Sequence, residues 1–297
     1  MLFLLFLIFA LSFTYLVKAH PYLIKYARIA IIEDRPKLLE MLLFIGLDPD
    51  IYVKEHYGEY DEDDDSILLH YAATYGFERC VNVLLSYNVN VDEVCKYYSG
   101  RTAMQLAARQ GYIDIVNILI DFGADINFKD GLRGETALHI AAFNGYMQIL
   151  HLLLLRGAQI DIQATGSGLT PLMHACEYGN DDMVKLLLDF GADVNINTDQ
   201  YAIAEFPTNA LFIATSNVHV EIQKMLLASG ASIIQECENG EIISAFTEAE
   251  PFHEIFDNID NWPTTMFLIM MENCGLSNSL DFASIQDFME FSGRELL

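Results

Sequence analysis

Residues 134–145 read Gly-Glu-Thr-Ala-Leu-His-Ile-Ala-Ala-Phe-Asn-Gly, and after an Ile/Leu-rich stretch residues 156–161 read Arg-Gly-Ala-Gln-Ile-Asp. The pattern recurs along the chain. Thr102, Thr136 and Thr170 stand 34 residues apart, and so do Gly123, Gly157 and Gly191. A period of that length marks a chain built from repeated supersecondary units. One such unit cannot bury its apolar face alone, so neighbours must stack and share a core. Stacked units present surface; they do not build a deep catalytic cleft.

The family resemblance these residues carry implies that each unit is a turn and two antiparallel helices, and each residue type in it has a physical task. Thr102, Thr136 and Thr170 are placed to cap the first helix by accepting a backbone N–H. Ala107, Ala108, Ala141 and Ala142 are small enough for adjacent first helices to approach closely, and Cys176 is a small buried filler at the same position. Gly111, Gly145 and Gly179 supply the left-handed backbone that reverses the chain. Leu119, Leu153 and Leu187 fall on the second helices, facing the shared core. Gly123, Gly157, Gly191 and Gly230 end those helices.

This arrangement resembles the ankyrin repeat, whose pattern runs Thr-Pro-Leu-His-x-Ala-Ala-x-x-Gly, a Leu-Leu helix, then Gly-Ala-Asp-x-Asn. Three units match it well: Arg101–Asn127, Glu135–Asp161 and Leu169–Asn195. Residues 66–92 form another, with Asn88 in place of the terminating glycine. Residues 209–233 form a weaker one, with Val218 in place of the inter-helix glycine. The resemblance implies an all-α ankyrin-repeat solenoid of stacked helix-turn-helix units with short β-turn fingers. It divides the chain into an apolar segment over 1–19, a degenerate capping repeat over 22–50 and an acidic loop insertion over 51–65. Ankyrin repeats follow over 66–235, then an acidic degenerate repeat with C-terminal capping helices over 236–297. Leu280–Phe291 is the expected last capping helix. Residues 196–208 lengthen one connection by five residues over the 34-residue spacing.

In this family, targets contact the fingers and the concave face of the first helices. Carried over position by position, the two residues before each inter-helix glycine are expected to be exposed. They are Thr74 and Tyr75, Arg109 and Gln110, Phe143 and Asn144, Glu177 and Tyr178, Ser216 and Asn217. The protein-binding candidates are Tyr75, Arg109, Phe143, Asn144 and Tyr178, joined at the finger tips by Tyr97, Tyr98, Leu132 and Arg133. Exposed aromatic side chains bury large areas against a protein partner at low entropic cost. Phe77, Tyr112 and Tyr146, one residue past the glycine, are read as packing between units. His70 and His139 occupy the family's histidine position, where the ring bonds backbone. Asn127 and Asn195 are read as bonding within the turn.

Composition narrows the function further. Forty-two acidic residues against 16 basic ones give a net charge of −26, a field that repels phosphates and so excludes direct nucleic-acid binding. Basic partners are favoured through long-range steering that salt weakens. The five cysteines are odd in number and contain no Cys-x-x-Cys, so neither a disulfide framework nor a zinc site is indicated. The acidic run Glu59–Asp65 lacks the ligand spacing of a calcium loop and reads as solvated. No catalytic constellation or phosphate-binding glycine loop is visible. The expectation is a monomeric, non-enzymatic binder of an unidentified protein, with no catalytic residue, metal or cofactor.

Met1–Val17 contain no charged side chain and are almost wholly apolar. Three readings compete. A secretory signal would end at Ala19, with cleavage before His20, but the basic leading region is missing. A membrane anchor of 17 helical residues spans about 25 Å, workable with local thinning of the bilayer. The third reading is a terminal helix packed on the first repeat. The anchor is preferred, and because Lys18, Lys25 and Arg28 follow the apolar run it places the repeats on the cytoplasmic side.

Overall fold

The first helix of each repeat is short, apolar and buried on nearly every side, while the second is amphipathic, and this difference arranges them in layers. The computed structural model describes residues 22–53, 66–95, 99–198, 208–232, 234–236 and 242–244. The chain falls into two compact units, 1–158 and 159–297. In the first, α1 is helical over the described residues 22–32 and α2 spans Pro36–Phe44. After the α1–α2 pair, three further helix pairs complete the stack's two layers: α3 (Leu68–Tyr75) with α4 (Glu78–Ser86), α5 (Ala103–Gln110) with α6 (Ile113–Asp121), and α7 (Ala137–Asn144) with α8 (Met147–Leu155).

Within this unit α5 lies between α3 and α7, with α6 behind it. Six of its eight residues, Ala103 to Ala108, are therefore buried. Ala107 and Ala108 are fully enclosed, as close approach of first helices requires. The second helices α4, α6 and α8 line up alongside one another. Each buries one stripe, Ile115, Val116 and Leu119 in α6, and shows its polar face to water. The core thus runs between the two layers.

The second unit repeats the plan with α9 (Pro171–Glu177) and α10 (Asp181–Asp189), then α11 (Ala210–Ser216) and α12 (Val220–Ala228). First helix packs on first and second on second. Cys176 is fully buried in α9, the filler role expected of it.

Capping follows the sequence with two differences. Thr102 and Thr170 accept from Gln105 N and Met173 N, and Asn209 accepts from Phe212 N at 3.0 Å. Thr136 instead engages the His139 ring, its hydroxyl 2.9 Å from Nδ1. The other difference lies at the repeat ends. Asn127 and Asn195 bond within their turns through the backbone N–H, to Asp125 and Asp193, but the Asn195 side chain also reaches the next repeat, accepting from Ser232 N at 2.7 Å and donating to Gly230 O at 3.1 Å. Asp50, Asp92 and Asp161 do the same to Asn90 N, Asp125 N and Asp193 N. These bonds form between neighbouring repeats, which is why the local pattern did not reveal them.

Two strand pairs stand outside the helical plan. β1 (Tyr52–Val53) pairs antiparallel with β2 (Ser66–Ile67), at the two ends of the acidic insertion. β3 (Ile234–Glu236) pairs antiparallel with β4 (Ile242–Ser244), directly after the last helix pair, in the segment for which a degenerate repeat is expected. The apolar segment 1–19, the acidic run 59–65 and the capping helix expected over 280–291 lie outside the described residues. Among the described residues, no helix is long and apolar enough to cross a membrane.

Candidate protein-binding site

The fingers are built by backbone bonds between turns. Cys95 N donates to Arg101 O and Gly100 N to Cys95 O, closing the first finger. Asp130 N donates to Glu135 O, closing the second, and Gly131 N donates to Ser99 O, joining the two at 3.0 Å. The Asp130 carboxylate then caps its own finger by accepting from Arg133 N at 2.8 Å and Glu135 N at 3.3 Å.

A charged network braces this pair of fingers. Arg101 Nε lies 3.1 Å from Asp130 Oδ2 and its Nη2 3.5 Å from Glu135 Oε2, with side-chain exposures of 12% for Arg101 and 0% for Asp130. So enclosed a pair is costly to break from one side, by about 3–5 kcal/mol, because the remaining charge stays buried. Sequence reading did not find this pair, since its members are 29 residues apart and meet only when two repeats stack.

The family's histidine position supplies the second brace. His70 Nδ1 accepts from Ile67 N at 3.1 Å, so Nε2 carries the proton and donates to Glu93 O at 2.8 Å. His139 Nδ1 accepts from Thr136 N in the same way. Gln105 does both tasks with an amide: Oε1 accepts from Thr102 N, and Nε2 donates to Phe128 O and Glu135 O at 2.9 and 2.8 Å. Its equivalence to histidine is legible only from this geometry.

Between the fingers and the ends of the first helices lies a groove of about 350 Å³. Arg109, at the last turn of α5, and Phe143 and Asn144, at the end of α7, line it from the helices. Leu132 and Arg133 of the second finger, with Ser99 of the first, line it from the fingers. Arg101, Glu135 and the buried Ile140 complete the lining. Five of the candidates named from sequence thus converge on one groove. Leu132 is 66% exposed despite its apolar character.

The remaining candidates lie elsewhere. Tyr75 and Tyr178 are exposed aromatic side chains, and the Tyr75 ring lies 6.2 Å from that of Phe77. Tyr97 and Tyr98 lie outside the described residues. Gln110, Glu177, Ser216 and Asn217 are exposed as expected, whereas Thr74 is half-buried. Phe77, Tyr112 and Tyr146 are half-buried, and the Tyr112 and Tyr146 rings lie against Gly76 and Gly111 of the preceding repeat.

Nucleophilic chemistry has no foothold in the described thiols. Cys80, Cys95 and Cys176 are buried. Burial, and then the Asp34 carboxylate, push the Cys80 thiol up to about 12, and burial alone raises that of Cys176. Neither supplies thiolate near neutrality. Among the described residues, no group of three or more His, Cys, Asp or Glu side chains is placed to hold a metal ion.

The family model for ankyrin repeats in three copies matches residues 28–130, 122–198 and 138–237, well over half of the chain. The chain belongs to the ankyrin-repeat family. Among ankyrin-repeat structures it is similar to the ankyrin-repeat domain of Bcl-3, a unique member of the IkappaB protein family. That likeness has a TM-score of 0.65 and 25% identity, covering 77% of this chain and 96% of the other. The human ASB11 ankyrin-repeat domain is similar at a TM-score of 0.61 and 25% identity, covering 77% and 93%. By sequence, the human NF-kappa-B inhibitor alpha is 31% identical over 106 residues, 34% of this chain and 31% of that protein. Its counterpart from the pig, Sus scrofa, matches to the same extent. The chain therefore spans about a third of the length of these curated relatives. Ankyrin repeats mediate protein–protein interaction, and the fold is the ankyrin-repeat fold.

Proposed function

We propose that this chain is a non-enzymatic protein–protein interaction scaffold that captures its partner on the first-helix ends and fingers. The observation that carries this reading is the convergence of Arg109, Leu132, Arg133, Phe143 and Asn144 on one groove. The groove sets an exposed aliphatic side chain beside an aromatic ring and guanidinium groups, and aromatic and guanidinium side chains are the types that anchor protein interfaces. The sequence relatives are named as inhibitors of NF-kappa-B, that is, as acting on another protein, which supports a binding role for the class. Replacing Tyr75, Phe143 and Tyr178 together by alanine is expected to lower partner recovery by about tenfold or more. The measurement is proximity labelling with the full chain, alongside circular dichroism to establish that the variant remains folded. Unchanged recovery from a folded variant overturns the surface assignment.

The reading includes a tether: residues 1–19 hold the chain at a membrane, with the repeats on the cytoplasmic side. It is supported by the charge-free run Met1–Val17 and by Lys18, Lys25 and Arg28 after it. Fractionation with tags at both termini tests it. Retention of both tags in the membrane pellet through carbonate washing is the expected result. Loss of the amino-terminal tag, with the remainder outside the cell, would make the chain an exported binder cleaved near Ala19.

A further inference from the structure

Resting on the scaffold reading, we propose that the groove between the second finger and α7 takes a short segment of a partner protein in which an apolar side chain stands beside a carboxylate. On a chain of net charge −26 with only 16 basic residues, three guanidiniums meet at this one groove, those of Arg101, Arg109 and Arg133. Two carboxylates oppose them, Asp130 and Glu135. Arg101 is spent inside the molecule on both. Arg133 touches Glu135 only at 3.6 Å and is 59% exposed. Arg109 is exposed, and among the described residues no carboxylate pairs with it.

One positive charge is therefore left over, shared by two solvent-facing guanidiniums that both line the groove. That matches a single carboxylate, which a guanidinium binds through paired, charge-assisted hydrogen bonds. A phosphate, carrying a charge of about −1.5 to −2, exceeds it and meets Glu135. Leu132 and Phe143 supply the apolar counterpart beside the charge. Asn144 donates its amide to Ile140 O at 2.8 Å, leaving its side-chain oxygen to accept a backbone N–H. A volume of about 350 Å³ lies at the low end of ligand clefts of about 300–1,000 Å³ and fits an extended segment, not a folded domain. The field of the whole chain repels a strongly acidic partner, so the carboxylate is a local feature of the segment.

The test is fluorescence anisotropy on the full chain with fluorescein-labelled decapeptides carrying Leu or Phe within two positions of Glu. Matched panels carry Gln, Lys or phosphoserine in place of Glu. The expected result is binding by Glu peptides about tenfold tighter than by their Gln counterparts, weakening as salt is raised. Arg109→Gln and Arg133→Gln are each expected to weaken it by about tenfold with an unchanged thermal melt, and Lys185→Gln, an exposed charge on α10 outside the groove, to leave it unaffected. Equal binding of Glu and Gln peptides, lost in both on Leu132→Ala or Phe143→Ala, overturns the charge assignment while the scaffold reading stands. Tighter binding of phosphoserine or Lys peptides overturns it too. No binding by any panel overturns both this proposal and the placement of the scaffold's contact surface in the groove.

Discussion

In the three well-matched repeats the two turns reverse the chain with the same left-handed glycine, yet they are held by different forces. At the inter-helix turn Gly111 has φ +84°, and a Cβ built there would sit 2.9 Å from Cε1 of the Tyr146 ring in the next repeat. At the repeat-ending turn Gly123 has φ +92°, and nothing lies within 4 Å of the same point. The first turn is joined to its neighbour by a ring packed on bare backbone. The second is joined by a hydrogen bond, Asp92 accepting from Asp125 N at 3.0 Å. Glycine at one turn answers both a conformational and a steric demand; at the other the demand is conformational alone.

The sharpest way to break this contrast is to add a methyl group at each. Gly111→Ala is expected to cost about 3 kcal/mol, combining left-handed strain of about 1–2 kcal/mol with overpacking against Tyr146. Gly123→Ala is expected to cost about 1 kcal/mol, the strain alone. Urea denaturation of both variants checks it, and equal losses would show that the ring contact contributes nothing.

At Val218 the protein itself departs from the rule. A β-branched residue holds φ +60° there, at the inter-helix position that glycine fills in the three well-matched repeats. Val218→Gly is expected to stabilise by about 1 kcal/mol, because the strain of the left-handed backbone is released. A thermal melt at or below that of the parent would mean the side chain's packing outweighs its strain.

The smallest effect concerns the bond at the other turn. Burial raises the pKa of Asp92 above its ordinary 3.8; the N–H of Asp125 lowers it, and the Asp125 charge raises it. The charged form is thus less favourable folded than unfolded, so Asp92 holds stability back above its folded pKa and returns it as pH falls through that value. Asp92→Asn keeps an oxygen acceptor, as Asn195 already does for Ser232 N. Its melting temperature is expected to exceed the parent's slightly at pH 7, the gap closing as pH is lowered through the folded pKa. A gap that widens on acidification contradicts this.

The repeats were legible because capping and reversal are local. Thr102, Gly111 and Gly123 each announce their role within a few residues, and the 34-residue spacing multiplies the signal. Five residues of the groove, Arg109, Leu132, Arg133, Phe143 and Asn144, were legible for the same reason, being fixed by their place before a glycine or on a finger. What joins one repeat to the next was not. The Arg101–Asp130 pair, the reach of Asn195 to Ser232 and the Gln105 bridge to Phe128 O depend on which residue lies across a stacking boundary. Residue type alone does not specify that. The strand pairs β1–β2 and β3–β4 were missed because segments of two or three residues carry no readable periodicity.

The two long insertions share a feature at their roots. Tyr52 and Val53 pair with Ile67 and Ser66, and Thr198 N donates to Thr208 O at 2.9 Å while Thr208 N donates to Thr198 Oγ1 at 3.1 Å. Each insertion is knotted off where it leaves the frame, and Asn195 still bridges to Ser232 past the second one. The repeats therefore keep step without regard to what is threaded between the knots. In the language of tailoring, these are pockets sewn onto a finished seam: their contents can be lengthened, emptied or exchanged while the cloth hangs as before.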